Sequence, residues 1–160
     1  MLVYLARHAW AGHYGDPGWP DDSQRPLTEE GVGRYRRMVE RLVAGSFAPE
    51  RIVTSPYVRC LQTAEILAEA VGVEPEPLEA LEPGARLAPL VEWSNASGAG
   101  AVAWVGHNPD CERLVAELVG DRCSSVRFAK GAVACLRFDG PVARSEGTLI
   151  WHATAKLLGV

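Results

Sequence analysis

The chain has no basic stretch ahead of its first apolar run: MLVYLARH meets a charge after six residues. A secretory signal peptide needs a cationic lead and a longer apolar segment, so none is expected. No stretch stays apolar over the ~18 residues of a membrane span, so no membrane partner is expected either. The four cysteines, Cys60, Cys111, Cys123 and Cys135, include no C-x-x-C pair. That argues against zinc or thioredoxin-like chemistry and for reduced thiols in a cytoplasm. Positive charge is not in excess: the net charge is −4, against the footprint of a nucleic-acid binder. Repeats, low-complexity tracts and linkers are also missing, so residues 1–160 are expected to form one domain.

What is present reads as globular, with 48% hydrophobic and 22% charged residues. Leu2 to Ala6 is a short apolar run that predicts a central strand. Residues 9–26 carry three glycines and three prolines and predict a long loop, a kind that tends to be functional. Thr28 then predicts a helix N-cap, with Glu29 and Glu30 in the favoured first turn. Val32, Tyr35, Val39, Leu42 and Val43 follow at helical spacing, with Arg34, Arg36, Arg37 and Arg41 on a solvated face. Arg51 to Thr54 predicts a second strand. Ser55-Pro56 predicts an N-cap and N1 proline for a helix over Tyr57 to Ala70, closed by Gly72. In residues 73–99, Pro75, Pro77 and Pro83 act as breakers, and Leu87, Leu90 and Val91 suggest one helix. Ala101 to Val105 predicts a third strand and Asn108-Pro109 a second capping pair, with a helix to Val119. Ala132 to Phe138 and Thr148 to Thr154 predict two late antiparallel strands. The order predicts an α/β three-layer sandwich with a mostly parallel central sheet and an antiparallel edge.

Ligands of open α/β sheets bind beyond the carboxyl ends of the strands. The first strand ends in Arg7-His8, the second leads to Arg59, and the third ends in Gly106-His107. Three separate segments thus deliver cationic or imidazole groups to one edge, two of them at helix N-termini. Such an edge suits a phosphate group.

The stretches ARHA, RPLTEEG, TSPYVRCLQTAE and VGHNP, in this order, resemble the signatures of the histidine phosphatase superfamily. The D-x-x-R-P-L-T stretch from Asp22 to Thr28 and the ending GTLIWHATAK are most similar to SixA-like phosphohistidine phosphatases. The resemblance implies a phosphoglycerate mutase-like fold and a phosphatase that needs no metal or other cofactor. It implies that His8 is a nucleophile carrying a transient phosphoryl group, and that His107 is a second imidazole donating hydrogen bonds to the transferring group as a cation. Arg7 and Arg59 would clamp the phosphoryl oxygens, since planar guanidinium forks suit phosphate. Arg25, in RPLT, is a further binding residue, or else a loop ion-pair partner of Asp21 or Asp22. Glu82, with Glu79 nearby, stands where many relatives place a proton donor; its alternative is a solvated loop carboxylate.

Neutral imidazole is a competent nucleophile near pH 7, and flanking guanidinium groups should keep His8 neutral. One ring nitrogen should donate to a backbone carbonyl so that the other faces phosphorus. Residues 60–106 leave little chain for a cap over the site, so a phosphohistidine-bearing protein is the expected substrate. A small phosphorylated metabolite is the alternative substrate. A non-catalytic phosphate-binding module and a metal hydrolase built on His8, His107, Asp110 and His152 are the alternative functions. His13 and His152 otherwise carry no role, and Trp10, Trp19 and Trp104 either rim the pocket or pack.

Overall fold

The computed structural model describes residues 1–121 and 126–160; Cys123 lies outside them. Strands β1 (Leu2–Arg7), β2 (Arg51–Thr54), β3 (Pro75–Pro77), β4 (Ala101–Gly106), β5 (Val133–Arg137) and β6 (Thr148–Ala153) form one sheet in the order β3-β2-β4-β1-β5-β6. The first four strands in that order run parallel, and β5 and β6 complete an antiparallel edge. Helices α1 (Glu29–Ala44), α2 (Val58–Val71), α3 (Leu87–Ala96) and α4 (Asp110–Val119) cover its faces.

The period-two alternation of the strands builds the layers, because successive side chains point to opposite faces. Tyr4 and Ala6 of β1 join Ile52, Ala103 and Val105 beneath Tyr35 and Met38 of α1 and Leu67 of α2. Val3 and Leu5 join Val53, Val102 and Trp104 beneath Leu90 of α3 and Leu114 and Leu118 of α4. This is the three-layer α/β sandwich that the element order predicts. Trp104 is wholly buried, and its indole N–H donates to Ser94 Oγ at 3.0 Å. That bond removes the cost of a buried, unpaired donor. Among the described residues no helix is long and apolar enough to cross a membrane.

Local chemistry sets several boundaries. Thr28 Oγ1 accepts from the Gly31 amide at 3.0 Å, as the cap signature predicts. Helix α2 ends at Gly72, whose φ of 75° is left-handed and favours glycine. Three readings need correction. Pro75 and Pro77 do not simply interrupt the chain; they sit in edge strand β3, where a missing N–H is tolerated. Ser55-Pro56 does not cap α2, whose N-cap is Tyr57 with no side-chain bond. Pro109 likewise is the N-cap of α4, and Asn108 turns its amide to Glu112 and Phe128 instead. The arginines of α1 are also less free than a solvated face implies. Arg34 donates to Val160 O at 2.9 Å, and Arg36 pairs with Glu69 at 2.6 Å.

Candidate active site

Register brings the two imidazoles together. Strands β1 and β4 lie side by side with Arg7 opposite Gly106, so the next residues, His8 and His107, leave the sheet as neighbours. Their rings meet edge-on with centroids 5.5 Å apart. On the other side of β4, Thr54 lies opposite Val105, which places Ser55 beside the end of the same strand. There Ser55 Oγ lies 2.9 Å from His107 Nε2. Helix α2 begins directly after, and its second residue is Arg59.

The backbone holds these ends rigidly. His8 N–H donates to Gly106 O and Arg7 N–H to Ala132 O, each at 3.0 Å. Ala9 N–H donates to Thr63 Oγ1 at 3.0 Å, and that hydroxyl donates to Arg59 O at 2.6 Å. The first turn of α2 is thereby tied to the residue after His8.

His8 is buried, with Nδ1 2.8 Å from the carbonyl of Ala9. A carbonyl only accepts, so Nδ1 carries the proton and Nε2 keeps its lone pair. Burial pushes the His8 pKa down to about 3, with smaller contributions from His107, Arg59 and Arg7. The ring is neutral near pH 7, but burial outweighs the guanidinium groups that the sequence pointed to.

His107 sits between Arg59 and Ser55. Arg59 Nη2 lies 3.3 Å from its Nδ1 and must be the donor, so Nδ1 is unprotonated and Nε2–H points to Ser55. Burial first, and Arg59 second, lower its pKa to about 4. His107 is therefore neutral near pH 7 in this arrangement, and the cation that the resemblance implies concerns a ring donating to the transferring group.

Arg7 donates from Nη1 to Phe128 O at 2.8 Å, and burial lowers its pKa. Among the described residues the buried Nε atoms of Arg7 and Arg59 have no partner. Arg59 Nη1 donates to Asp22 O at 2.7 Å, and its Nη2 lies 3.0 Å from Asp22 Oδ2. Asp22 Oδ1 also pairs with Arg25 Nε at 2.8 Å, and Arg25 Nη1 donates to Gly12 O at 2.7 Å. Burial alone raises the Asp22 pKa, but the bonds and charges of Arg25 and Arg59 outweigh it and hold the carboxyl ionised below its usual range.

Arg7, His8, Arg25, Arg59 and His107 all line one cavity of about 370 Å³, with Gly12, His13, Tyr14, Asp22, Pro83, Asn108 and Lys130. Arg25 makes the loop ion pair with Asp22 that was its second alternative, and it also lines the cavity. Glu82 does not line the cavity; its neighbour Pro83 does, and the Glu82 amide closes a short turn onto Glu79 O at 3.0 Å. Glu79 is exposed.

Asp110 is turned elsewhere, accepting from Gly84 N–H at 2.8 Å and pairing with Arg113 at 2.9 Å. His152 packs against the ring of Phe128 at 4.8 Å. The four residues of the metal-hydrolase reading are therefore not gathered. Among the described residues no group of three or more His, Cys, Asp or Glu is placed to hold a metal ion. Trp104 is core, and Trp19 is 42% exposed.

Sequence reasoning missed the Asp22 latch, Ser55 as the partner of His107, and Lys130. Asp22 and Ser55 both fall inside the quoted signature stretches, which was the available signal. Lys130 has no local signal at all.

Comparison with known proteins places this geometry. Residues 3–83 match the histidine phosphatase superfamily (branch 1). An uncharacterized protein of Picosynechococcus sp. is 41% identical over 115 residues, 69% of this chain and 68% of that one. The phosphohistidine phosphatase SixA of Escherichia coli is 30% identical over 160 residues, covering 95% of this chain and 92% of that one. A structure of the protein histidine phosphatase SixA complexed with tungstate superimposes with a TM-score of 0.85 at 28% identity, covering 99% of both chains. With the phosphoglycerate mutase-like sandwich and a cavity that gathers three histidines and three arginines, this chain belongs to branch 1 of the histidine phosphatase superfamily and is SixA-like over almost its whole length.

Proposed function

We propose that residues 1–160 act as one phosphatase domain that removes the phosphoryl group from phosphohistidine on a protein, with His8 as nucleophile. Phosphatase activity is what membership of the family supports. The observation that carries the assignment of His8 as nucleophile is the Nδ1–H bond from His8 to the Ala9 carbonyl, 2.8 Å long. It leaves an unprotonated Nε2 on a neutral ring that lines a cavity of arginines.

Phosphoryl transfer asks mainly for positioning and charge stabilisation. His8 Nε2 attacks phosphorus as the P–N bond to the partner's imidazole breaks. The leaving nitrogen keeps the electron pair and takes a proton from water. Water then attacks phosphorus on His8, the new P–N bond breaks, and inorganic phosphate leaves with His8 neutral again. Arg7 and Arg59 hold the oxygens throughout with their planar guanidinium forks. Arg25 is a further contact once Asp22 yields. His107 donates to the phosphoryl group from Nδ1 only after gaining a proton, which the incoming negative charge promotes.

The span between Arg59 and His107 supports a protein substrate. It consists of α2, β3, a short turn, α3 and β4, with no inserted lid. The weak P–N bond needs little help to break, which suits a cavity that Glu82 does not line. Cys60, Cys111 and Cys135 are buried free thiols, which suits a cytoplasmic setting.

The test compares steady-state turnover of a phosphohistidine protein with that of sugar phosphates, and traps the phosphoenzyme. A stoichiometric phosphoryl group on His8, absent in His8→Ala, and faster turnover of the protein are expected. A tenfold preference for sugar phosphates would overturn the substrate. Phosphate binding with no trapped phosphoenzyme would leave a binding module instead of an enzyme.

A further inference from the structure

The chain contains only two lysines, Lys130 and Lys156, and both line one groove of about 380 Å³. Arg34, Arg127, Trp10, Ala129, Thr154 and Ala155 complete its walls. Lys130 also lines the catalytic cavity, and a third hollow of about 190 Å³ beside Trp10 and Arg34. The three depressions therefore meet at one lysine, and the two outer ones also share Trp10 and Arg34, which marks a track leading away from the active site.

Three of the four cations of this track are uncommitted, and the fourth, Arg34, donates to Val160 O. Arg127, Lys130 and Lys156 are exposed, and among the described residues their side chains have no hydrogen-bond or ion-pair partner. Elsewhere Arg36, Arg51, Arg113, Arg137 and Arg144 are each paired with a carboxylate. Glu30 supplies the carboxylate in the two outer hollows, where four cations gather. On a chain of net charge −4 this is a concentrated reversal of sign. Such a patch attracts an acidic partner and repels a basic one.

The track is also rigid with respect to His8. The residue after Lys130, Gly131, donates its N–H to His8 O at 3.0 Å. Phe128, next to Arg127, accepts from Arg7 Nη1 at 2.8 Å. The half-buried Trp10 ring is held under the Arg34 guanidinium, 4.2 Å from its centroid, and supplies an apolar wall.

We infer that this track, from the catalytic cavity over Lys130 to Arg127 and Lys156, docks an acidic polypeptide segment of the phosphorylated protein substrate. The inference rests on the protein-substrate reading above. Its length favours a polypeptide over a small metabolite, since cations continue into a second groove beyond the one that receives the phosphoryl group. The acidic remainder of the molecule disfavours a nucleic acid.

The test is the double variant Arg127→Glu/Lys156→Glu, which leaves every residue of the catalytic cavity in place. Turnover is measured on a phosphohistidine protein and on p-nitrophenyl phosphate. The expected result is a fall of at least tenfold in kcat/KM for the protein, carried by KM, with p-nitrophenyl phosphate unchanged. The wild-type rate on the protein should fall as salt rises through about 0.3 M, and the variant's rate should not. An added poly-glutamate peptide should inhibit the wild type on the protein substrate. Equal protein turnover by wild type and variant overturns the inference, as does equal loss on both substrates. Stronger inhibition by an oligonucleotide of equal charge also overturns it. If the Glu variant fails to fold, Arg127→Gln/Lys156→Gln carries the same comparison. If the wild type hydrolyses p-nitrophenyl phosphate but no phosphohistidine protein, the substrate reading itself falls and takes the docking site with it. That outcome is distinguishable from a docking failure, in which wild type and variant both act on the protein.

Discussion

Asp22 Oδ2 lies 3.0 Å from Arg59 Nη2, so a carboxylate from the long loop holds the guanidinium proposed to clamp the phosphoryl group. An incoming phosphate must displace this internal anion. Asp22→Asn removes the competing charge and leaves the loop's shape intact. A partly exposed ion pair is worth about 0.5–1 kcal/mol, so inhibition by inorganic phosphate should tighten about two- to fivefold. Product-inhibition constants measure this; an unchanged or weaker constant would mean that Asp22 assists binding and does not oppose it.

The two site histidines should make stability depend on pH in a defined direction. Burial lowers the pKa of His8 to about 3 and of His107 to about 4. Between these values and the unfolded value near 6.5, the unfolded chain binds more protons than the folded one. The stabilisation is fully present above about pH 6.5 and is lost as pH falls toward 4 and below. Each histidine adds a slope of up to about 1.4 kcal/mol per pH unit within that window. Urea unfolding at several pH values reads it, and His8→Asn and His107→Asn should each flatten the curve. A wild-type curve already flat from pH 6.5 to 4 contradicts the assignment.

Glu82 stays outside the lining of the cavity, and a leaving imidazole asks little of an acid. Glu82→Gln should therefore retain kcat on a phosphohistidine protein within about twofold. A true general acid contributes roughly 10²–10⁴-fold, so the two outcomes are well separated. A loss of that size would restore Glu82 as the proton donor.

Gly31 is required by space. A Cβ there would sit 2.3 Å from the carbonyl oxygen of Trp10 and 2.9 Å from Thr28 Oγ1. Gly31→Ala must push the start of α1 away from the segment after His8. Overpacking of this kind costs about 1–3 kcal/mol, which denaturant unfolding should register. The variant should also lose the Thr28 cap bond to residue 31.

Much of the frame was legible because its signals are local. Thr28 with Glu29 and Glu30 announces a helix start, and Gly72 announces an end, since each acts on its own neighbours. Short apolar runs mark β1 and β4 as central strands, and strand ends rich in Arg and His mark the ligand edge. Edge strand β3 escaped because proline reads as a breaker until its place at the sheet's rim is known. Ser55 and Asn108 were read as caps because a polar residue before proline has that local meaning. In the folded chain Ser55 meets His107, and Asn108 meets Glu112 and Phe128.

The amino-acid order by itself determined which chemistry is available: two imidazoles, three guanidinium groups and the segments that end in them. The tertiary structure decided their state. His107 is neutral because folding buries it against Arg59, and Asp22 occupies Arg59 because a loop folds back onto α2. Lys130 joins the site because its turn is pinned to His8 O across the sheet. Desolvation and hydrogen bonding between residues far apart in the chain exist only once the backbone has closed, so no local pattern encodes them.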